Sequence, residues 1–316
     1  MRRLTYLIVV LACVYAGYWF VGANRVTNGA ETALAQMEAQ GWTARADVAT
    51  KGFPSRFDTT LNDLSLVGPA GNWGYSAPFV QTLALSYRPN NVILVLPDTQ
   101  RIQSPADIGT LTAERLRASA TVKPNLALAF DDLTAEGADL TYASDAGWDM
   151  TLAALLIAAR LQDGQDRRYD VYTKLDQFAL PGDAGTIANT ILEADVRLAA
   201  PLDRSTQDVL VEQLVINTLR IDWSDVVLIG EGQLDMDAQG RPEGQILLQV
   251  ENWQVLIPRL VDLDLFDPGF ARTAQTMGTL LAQGKDTMTL PLKYENGMGM
   301  LGPLPLGPAP RLHFTR

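Results

Sequence analysis

The sequence is nearly devoid of cysteine and histidine: its 316 residues include one of each, Cys13 and His313. Because a disulfide needs two cysteines, none can form within the chain, which an oxidising compartment permits but does not require. The same scarcity argues against zinc and other metals that prefer nitrogen and sulfur ligands. A histidine-based triad would depend on a residue next to the carboxyl end, where chains fray. We therefore expect no histidine catalysis and no metal.

Short motifs of the common enzyme classes are also missing. The sequence has no Gly-x-Ser-x-Gly elbow and no Gly-x-x-x-x-Gly-Lys-[Ser/Thr] phosphate loop. Residues 235–240 resemble the start of a calcium loop, but Ile246 stands where its last ligand, a glutamate, would be. Asp262 and Asp264 could form a carboxylate pair for hydrolysis, although 36 acidic residues make accidental pairs common. We expect no catalytic residue and no cofactor.

Basic residues are in the minority, with 25 Lys and Arg against 36 Asp and Glu and a net charge of −11. A field of this sign repels nucleic acid and anionic lipid head groups. We therefore expect no nucleic-acid partner, and any bound lipid would be held mainly by its acyl tails. A hydrophobic content of 47% excludes a disordered chain, and the length suits one large or two ordinary domains.

Charge is absent altogether from residues 4–21, the stretch around which the chain is organised. A helix of this length reaches roughly 27 Å, close to the hydrocarbon thickness of a bilayer. Arg2 and Arg3 precede it, which predicts that the amino end stays inside and the remaining chain is exported. We predict a retained signal anchor over residues 1–23, placing a single-pass protein in the bacterial inner membrane with its carboxyl-terminal domain in the periplasm.

Two other interpretations of this segment stay open. Small residues at 21–23 resemble a signal-peptidase site, so the segment could be a cleaved signal peptide. Residues 10–13 fit a lipobox loosely, which would make Cys13 a lipid-attachment site. The retained anchor is favoured because the apolar run is longer than that of a usual signal. Its aromatic residues also cluster where an outer-interface belt would lie, at Tyr15, Tyr18, Trp19 and Phe20.

Hydrophobic periodicity predicts a mainly β (α+β) fold after a connecting helix over residues 24–41. That helix carries apolar residues at three- and four-residue spacing, namely Val26, Ala30, Ala33, Leu34 and Met37. Period-two alternation at 81–87, 91–96, 126–130 and 245–250 then predicts antiparallel strands. We expect long, curved antiparallel sheets and a carboxyl-terminal helix packed on the sheet. The β-rich domain would cover residues 42–316 and could consist of two similar halves dividing near 185–205.

Local signals place bends, turns and the carboxyl-terminal helix. Residues 61–66, 130–135 and 175–180 each put polar residues between large apolar ones three apart, which predicts β-bulges. Residues 232–248 alternate around a loop rich in Asp, Gly and Pro, which predicts a hairpin. Asp267 and Pro268 are typical of a helix start, and Gly284 of its end. A turn at 295–297 follows.

Few residues qualify as ligand-binding candidates. Phe53 lies in a Gly-Phe-Pro step entering a strand, where it could fix a tight turn or contact a ligand. The apolar strand residues Leu94, Leu96, Leu128 and Phe130 could line an apolar groove, although such residues more often form core.

Three segments carry a resemblance to a known family: Lys-Gly-Phe-Pro-Ser-Arg-Phe at 51–57, Asp-Ala-Gln-Gly-Arg-Pro-Glu-Gly at 237–244, and the Gly-Pro-rich residues 301–311. Together with the amino-terminal apolar segment, they resemble the bacterial envelope family known as domain of unknown function 2125. Its strands and Gly-Pro turns are more distantly similar to AsmA-like envelope proteins, whose long sheets curl into apolar grooves associated with lipid movement. Neither likeness implies a catalytic residue set.

The sequence thus favours a membrane-tethered protein of the cell envelope that is not an enzyme. Its expected role is to bind or transfer a lipid or acyl ligand, or to scaffold envelope assembly with a protein partner. A carboxylate-dependent hydrolase would instead show two acidic side chains converging in a polar cleft. A purely structural interaction module would show an exposed sheet edge or apolar patch.

Overall fold

A computed structural model describes residues 2–182, 185–206, 208–263 and 268–315, with only the backbone described at 268, 270 and 313–315. The fold is mainly β, as predicted, and every strand pair that can be assigned is antiparallel. The chain divides into two compact units. Unit 1 comprises residues 1–121 and 139–147, and unit 2 comprises residues 122–138 and 148–316.

Unit 1 begins with a long helix that is followed by short and medium strands. Its elements are α1 (Arg2–Ala39), β1 (Thr43–Lys51), β2 (Arg56–Val67), β3 (Gly74–Leu85), β4 (Arg88–Val95), β5 (Thr99–Gln103), β6 (Ile108–Thr112) and β7 (Arg115–Val122), with the end of β8 (Phe130–Ser144). Strands β1, β2 and β3 pair in order, and β3 then pairs with both β4 and β5. A small core forms around Leu64, Ala77 and Val80.

Helix α1 is long and apolar enough to cross a membrane by length and composition. It is one continuous helix through the predicted anchor and connecting segments. Along one side, residues at three- and four-residue spacing are buried or half-buried, and these are Ala16, Trp19, Ala23, Thr27, Ala30, Leu34 and Met37. The helix packs with this stripe on β1 and β2. Of the predicted stripe, Val26 and Ala33 are instead exposed.

Unit 2 is built from longer strands that pair in sequence order. Its elements are β9 (Asp149–Leu161), β10 (Arg168–Ala179), β11 (Thr186–Leu198), β12 (Asp208–Trp223), β13 (Val226–Met236), β14 (Pro242–Glu251), α2 (Trp253–Asp262), α3 (Pro268–Ala282), β15 (Thr287–Glu295), β16 (Met298–Leu301), β17 (Leu304–Pro308) and β18 (His313–Thr315). Each strand from β9 to β17 pairs with the next, so this part is a meander. Strand β18 pairs with β12.

Several local predictions are confirmed. The 232–248 hairpin is β13 and β14, and its turn is held by Asp237, whose carboxylate accepts bonds from the backbone nitrogens of Gln239 and Arg241 at 2.8 and 2.9 Å. The predicted bulge at 61–66 is a register shift between β1 and β2, with Asp63 at φ 50°. Helix α3 ends before Gly284, which has φ 78°, as expected for a terminating glycine. Its predicted cap, Asp267, lies outside the described residues.

Other local predictions are wrong. Residues 126–129 form no strand, because Leu128 adopts φ 51° in a turn and β8 begins only at Phe130. The turn predicted at 88–90 lies earlier, at residues 86–87, and β4 already includes Arg88. Helix α2 was not predicted, because its Pro258 and its position directly after a strand masked a short helical pattern. The side chains of Asp264 and His313 lie outside the described residues.

Candidate functional site: an apolar sheet face with a helix-covered cavity

The meander of unit 2 has one apolar face and one polar face across β9 to β15. Directly paired residues in neighbouring strands share a face, so each row of partners shows which residues lie together. We call the following four rows the apolar face: Leu161–Tyr169–Val196–Leu214–Leu234, Ala159–Val171–Ala194–Ile216–Gly232–Ile246–Leu292, Ile157–Thr173–Leu192–Leu219–Gly230–Leu248–Leu290 and Leu155–Leu175–Thr190–Ile221–Leu228–Val250–Met288. With strands about 4.8 Å apart, seven strands span roughly 29 Å.

The two ends of the apolar face are buried, whereas its middle is less well covered. One end holds the buried residues Leu161 and Tyr169 in a small core. The other end lies beneath α2 and α3, where Val250, Met288 and Leu290 are buried. Between them the side chains are mostly half-buried, including those of Ile157, Val171, Leu192, Ile216 and Leu219. The middle of the face is therefore a broad apolar surface that remains partly accessible.

A cavity of about 190 Å³ lies between this face and the two helices. Among the described residues, sixteen line the cavity and none of these carries an ionisable side chain; five of them belong to the apolar face, namely Leu228, Leu248, Val250, Met288 and Leu290. Helices α2 and α3 contribute Trp253, Leu256, Ile257, Leu260, Ala274, Met277, Gly278 and Leu281, and the lining is completed by Leu301, Pro303 and Leu304. The cavity is thus the helix-covered end of the apolar face.

Close packing around Trp253 sets the positions of the two helices. A Cβ on Gly278 would lie 2.4 Å from Cζ3 of Trp253, so α3 approaches the indole as closely as it does only because this residue is glycine. The indole Nε1 donates to the carbonyl oxygen of Lys285 at 3.3 Å, and Arg259 donates to that of Trp223 at 2.8 Å. These contacts hold α2 in place beside the cavity.

The cavity can be reached from outside, because some of its lining residues are exposed. Leu281 on α3 is 46% exposed, and Pro303, in the turn between β16 and β17, is also exposed. Leu280 beside it is 74% exposed, so apolar surface continues outward along α3. A dry apolar cavity with an apolar rim suits a hydrocarbon chain, because water entering it would find no polar partners.

Carboxylates converge on the polar face instead, in a concavity of about 390 Å³. The amide Nε2 of Gln162 donates to both Asp170 at 2.6 Å and Asp195 at 3.0 Å, and Asn217 also donates to Asp195. Both carboxylates thus accept bonds from neighbouring amides. Elsewhere in unit 2, the acidic residues of this face form ion pairs, such as Lys174 with Asp176 at 2.9 Å. This is the ordinary pattern of a solvated sheet surface. Within the described ranges, no group of three or more acidic, His or Cys side chains is placed to hold a metal ion.

The sequence-predicted candidates lie in different places. Phe53 is 53% exposed at the turn between β1 and β2, where its ring packs on Trp19. Leu94 and Leu96 pack on the small core of unit 1. Leu128 is 45% exposed in its turn, and the ring of Phe130 lies 5.6 Å from that of Tyr169 in unit 2. Ligand binding by these five residues stays a prediction.

Sequence reasoning missed the cavity because it missed α2. The signal was present, since Trp253, Leu256, Ile257 and Leu260 recur at helical spacing. Taken together, the predicted apolar stripe of α3 and this second apolar stripe on α2 would have indicated an apolar space between the two helices.

Comparisons with known proteins identify the family of this chain. Neither the search of curated proteins nor the search of solved structures found a match. A family model described as an uncharacterized protein conserved in bacteria matches residues 19–310, which is most of the chain and includes both units. The protein therefore belongs to this bacterial family, DUF2125.

Proposed function

We propose that this protein is a membrane-anchored component of the bacterial cell envelope that binds an acyl chain in the cavity beneath α2 and α3. The observation that carries the proposal is the apolar character of every described residue that lines the cavity, which continues into the partly accessible apolar face. The cavity receives the end of the chain, and the adjoining face accommodates the remainder.

Size and energy are consistent with this role. An apolar cavity of about 150 Å³ binds benzene, so the 190 Å³ here would hold roughly six to eight carbon atoms. At about 0.8 kcal/mol for each buried methylene, six of them contribute about 5 kcal/mol. That gain would support weak binding of a lipid tail. The binding would be reversible, because the head group would remain in water and the chain could leave again.

The apolar helix supplies the anchor in this proposal. Residues 2–14 of α1 are exposed and almost wholly apolar beyond Arg3, and the two arginines keep the amino end on the cytoplasmic side. The strands of unit 1 and the whole of unit 2 would then lie on the periplasmic side of the membrane. In this proposal the binding is non-enzymatic, since none of the described residues that line the cavity has a side chain able to donate or accept a proton in catalysis.

Photo-crosslinking of the full chain in detergent tests the proposal. Palmitic acid carrying a diazirine near its methyl end should label α2, α3 and the facing strands, with the products located by mass spectrometry after proteolysis. Met277→Trp places a larger side chain at a lining position and should reduce the labelling strongly. Thr276→Trp is the matched control, because Thr276 is the exposed neighbour on the same helix and does not line the cavity.

The outcome separates binding from folding. Both variants should keep cooperative thermal unfolding, so a difference in labelling would report on the cavity itself. Labelling that is spread over the chain, or that is equal in the two variants, would contradict the proposal. Labelling confined to the polar concavity, or turnover of an ester analogue there, would favour the carboxylate-dependent hydrolase instead.

A further inference from the structure

The amino-terminal helix contacts two loops at one end of unit 1, which we call the loop tips: residues 52–55 between β1 and β2, and residues 86–87 between β3 and β4. The ring of Trp19 lies 5.4 Å from that of Phe53 and 6.0 Å from that of Phe57. The ring of Phe20 stacks on Phe53 at 5.8 Å. A Cβ on Gly22 would lie 2.6 Å from the ring of Phe57. Helix and tips are therefore one packed structure.

Polar groups of the tips are satisfied by the helix and by each other. Tyr15 donates its hydroxyl to the carbonyl oxygen of Pro54 at 3.0 Å, and Tyr18 donates to that of Ser86 at 2.7 Å. Trp19 donates its indole N–H to the carbonyl oxygen of Arg56 at 2.8 Å. The backbone nitrogen of Ser86 donates to the carbonyl oxygen of residue 55. Irregular backbone can lie at membrane depth only when its polar groups find partners in the protein, and the carbonyl oxygens of Pro54, Ser55 and Ser86 have such partners.

Helix length sets the depth of the tips. The apolar residues before the contact, 4–14, cover only about 16 Å, roughly half of a bilayer's hydrocarbon thickness. The full run of 4–21 reaches the necessary length only if Tyr15 and Trp19 lie within the membrane. Because the tips pack on these residues, an anchor that spans the bilayer carries the tips into it.

The exposed side chains of the tips have the chemistry of a membrane interface. Phe53 is 53% exposed and Tyr87 is 65% exposed, and aromatic residues are enriched at this level. Lys51 and Arg88 are also exposed, and residues 51–57 and 84–90 contain no acidic residue. Asp58, the cross-strand partner of Lys51, forms an ion pair with Arg56, so three basic residues stand against one acidic residue here. In a chain with a net charge of −11, this end of unit 1 is therefore locally cationic and complements anionic phospholipid head groups.

We infer that the two loop tips insert into the bilayer leaflet next to the folded domain, with Phe53 and Tyr87 among the upper acyl chains and Lys51 and Arg88 at anionic head groups. The helix is consequently retained, since cleavage at 21–23 would remove Trp19 from its packed site. The inference rests on the anchoring proposed above but not on the cavity, so the two experiments can fail independently.

Depth-dependent quenching in the full chain tests the inference. Cys13→Ser leaves no native cysteine, so a polarity-sensitive fluorophore can be attached at Phe53→Cys or Tyr87→Cys. Asn72→Cys is the control, because residue 72 is exposed in the turn between β2 and β3, at the far end of the same strands. The proteins are reconstituted in phosphatidylcholine vesicles with or without phosphatidylglycerol, and with lipids brominated along the acyl chain.

Labels at 53 and 87 should shift to the blue and be quenched by brominated lipid, whereas the label at 72 should do neither. The double change Lys51→Glu and Arg88→Glu should reduce the quenching at position 53 only in vesicles that contain phosphatidylglycerol. Labels at 53 and 87 that are as water-exposed as the label at 72 would overturn the inference. A mature chain whose measured mass lacks residues 1–23 would also overturn the inference. So would labels that are shielded from water in a complex with a second protein but not in the vesicles.

Discussion

Both units place helices on a sheet, but with opposite results. In unit 1, α1 lies so close to the sheet that Gly22 has no room for a Cβ, and its side chains donate hydrogen bonds to two loops. In unit 2, α2 and α3 meet at Trp253 and leave an apolar cavity beneath them. Aromatic and polar contacts of α1 hold it directly against the loops, whereas in unit 2 the contacts of Trp253 and Arg259 hold α2 while flexible leucine and methionine side chains, which can adapt to an occupant, surround the cavity. The first arrangement suits an anchor and the second a binding site.

The largest expected effect is that of removing the indole on which the arrangement of α2 and α3 depends. Trp253→Ala should destabilise unit 2 by about 3–5 kcal/mol, because Trp253 is 4% exposed and packs against Gly278. Urea unfolding followed by circular dichroism measures the change. Val255→Ala on the same helix serves as the control, since Val255 is 38% exposed and should cost far less. Equal costs would show that the two helices do not depend on Trp253.

A smaller effect, with opposite signs in two variants, should appear on α1. Gly22→Ala puts a Cβ 2.6 Å from the ring of Phe57 and should destabilise unit 1 by about 1–3 kcal/mol. Gly29→Ala has nothing within 4 Å and should stabilise the same helix by up to about 1 kcal/mol. Thermal unfolding in detergent compares them. If both alanines stabilise the protein, α1 is not closely packed at Gly22.

The hydrogen bonds of the two buried tryptophans should also contribute differently to stability, with that of Trp19 in unit 1 contributing more than that of Trp253 in unit 2. Trp19→Phe keeps a ring but leaves the carbonyl oxygen of Arg56 without its 2.8 Å bond, at a cost of about 0.5–1.5 kcal/mol. Trp253→Phe removes a longer hydrogen bond, 3.3 Å to the carbonyl oxygen of Lys285, so the loss of this bond should lower the free energy of unfolding by less. Limited proteolysis between α1 and β1 should accelerate only in the first variant. Faster cleavage in the second variant instead would reverse the comparison.

The smallest effect is a pH dependence that arises in unit 1 from Asp107 and Tyr142. Hydrogen bonds from Ser144 at 2.6 Å and Tyr142 at 2.7 Å hold the pKa of Asp107 below its usual value. Because the pKa is lower in the folded state, this stabilisation is complete above the unfolded pKa and is lost as the pH falls through the folded one. Desolvation and the bond to Asp107 raise the pKa of Tyr142 to about 12. Its contribution is therefore lost at the alkaline end, as the pH rises from about 10 through 12.

Ser144→Ala checks this pH dependence. The variant should lower Tm at neutral pH and flatten the decline of Tm with acid, because one of the bonds that stabilise the charged carboxylate is gone. The comparison in unit 2 is Asp237, whose pKa is lowered chiefly by the backbone N–H of Arg241 and which Ser144→Ala leaves intact. If Tm declines with acid in the variant as it does in the unchanged protein, another carboxylate controls that decline.

Sequence patterns predicted the elements whose cause is local. The hairpin around Asp237, the end of α3 at Gly284 and the bulge at Asp63 each follow from residues within a few positions of one another. The apolar rows were not predictable, because each joins up to seven strands whose register depends on bulges elsewhere. The role of the belt aromatics was also missed, since the bond from Tyr18 to Ser86 joins residues 68 positions apart. Leu126 and Leu128 alternate like a strand, yet their segment is a turn because Leu128 adopts a positive φ.

The sequential pairing of β9 to β17 has a further consequence for how such a protein can vary. In a meander each strand depends only on its two neighbours, so a hairpin can be inserted or lost without rethreading the chain. A hairpin added among β9 to β12 would widen the apolar face by about 10 Å while leaving α2, α3 and the strands that line the cavity unchanged. The reach of the proposed binding surface would therefore be adjustable in steps, and the length of ligand that a related chain accommodates would change by the gain or loss of one supersecondary unit.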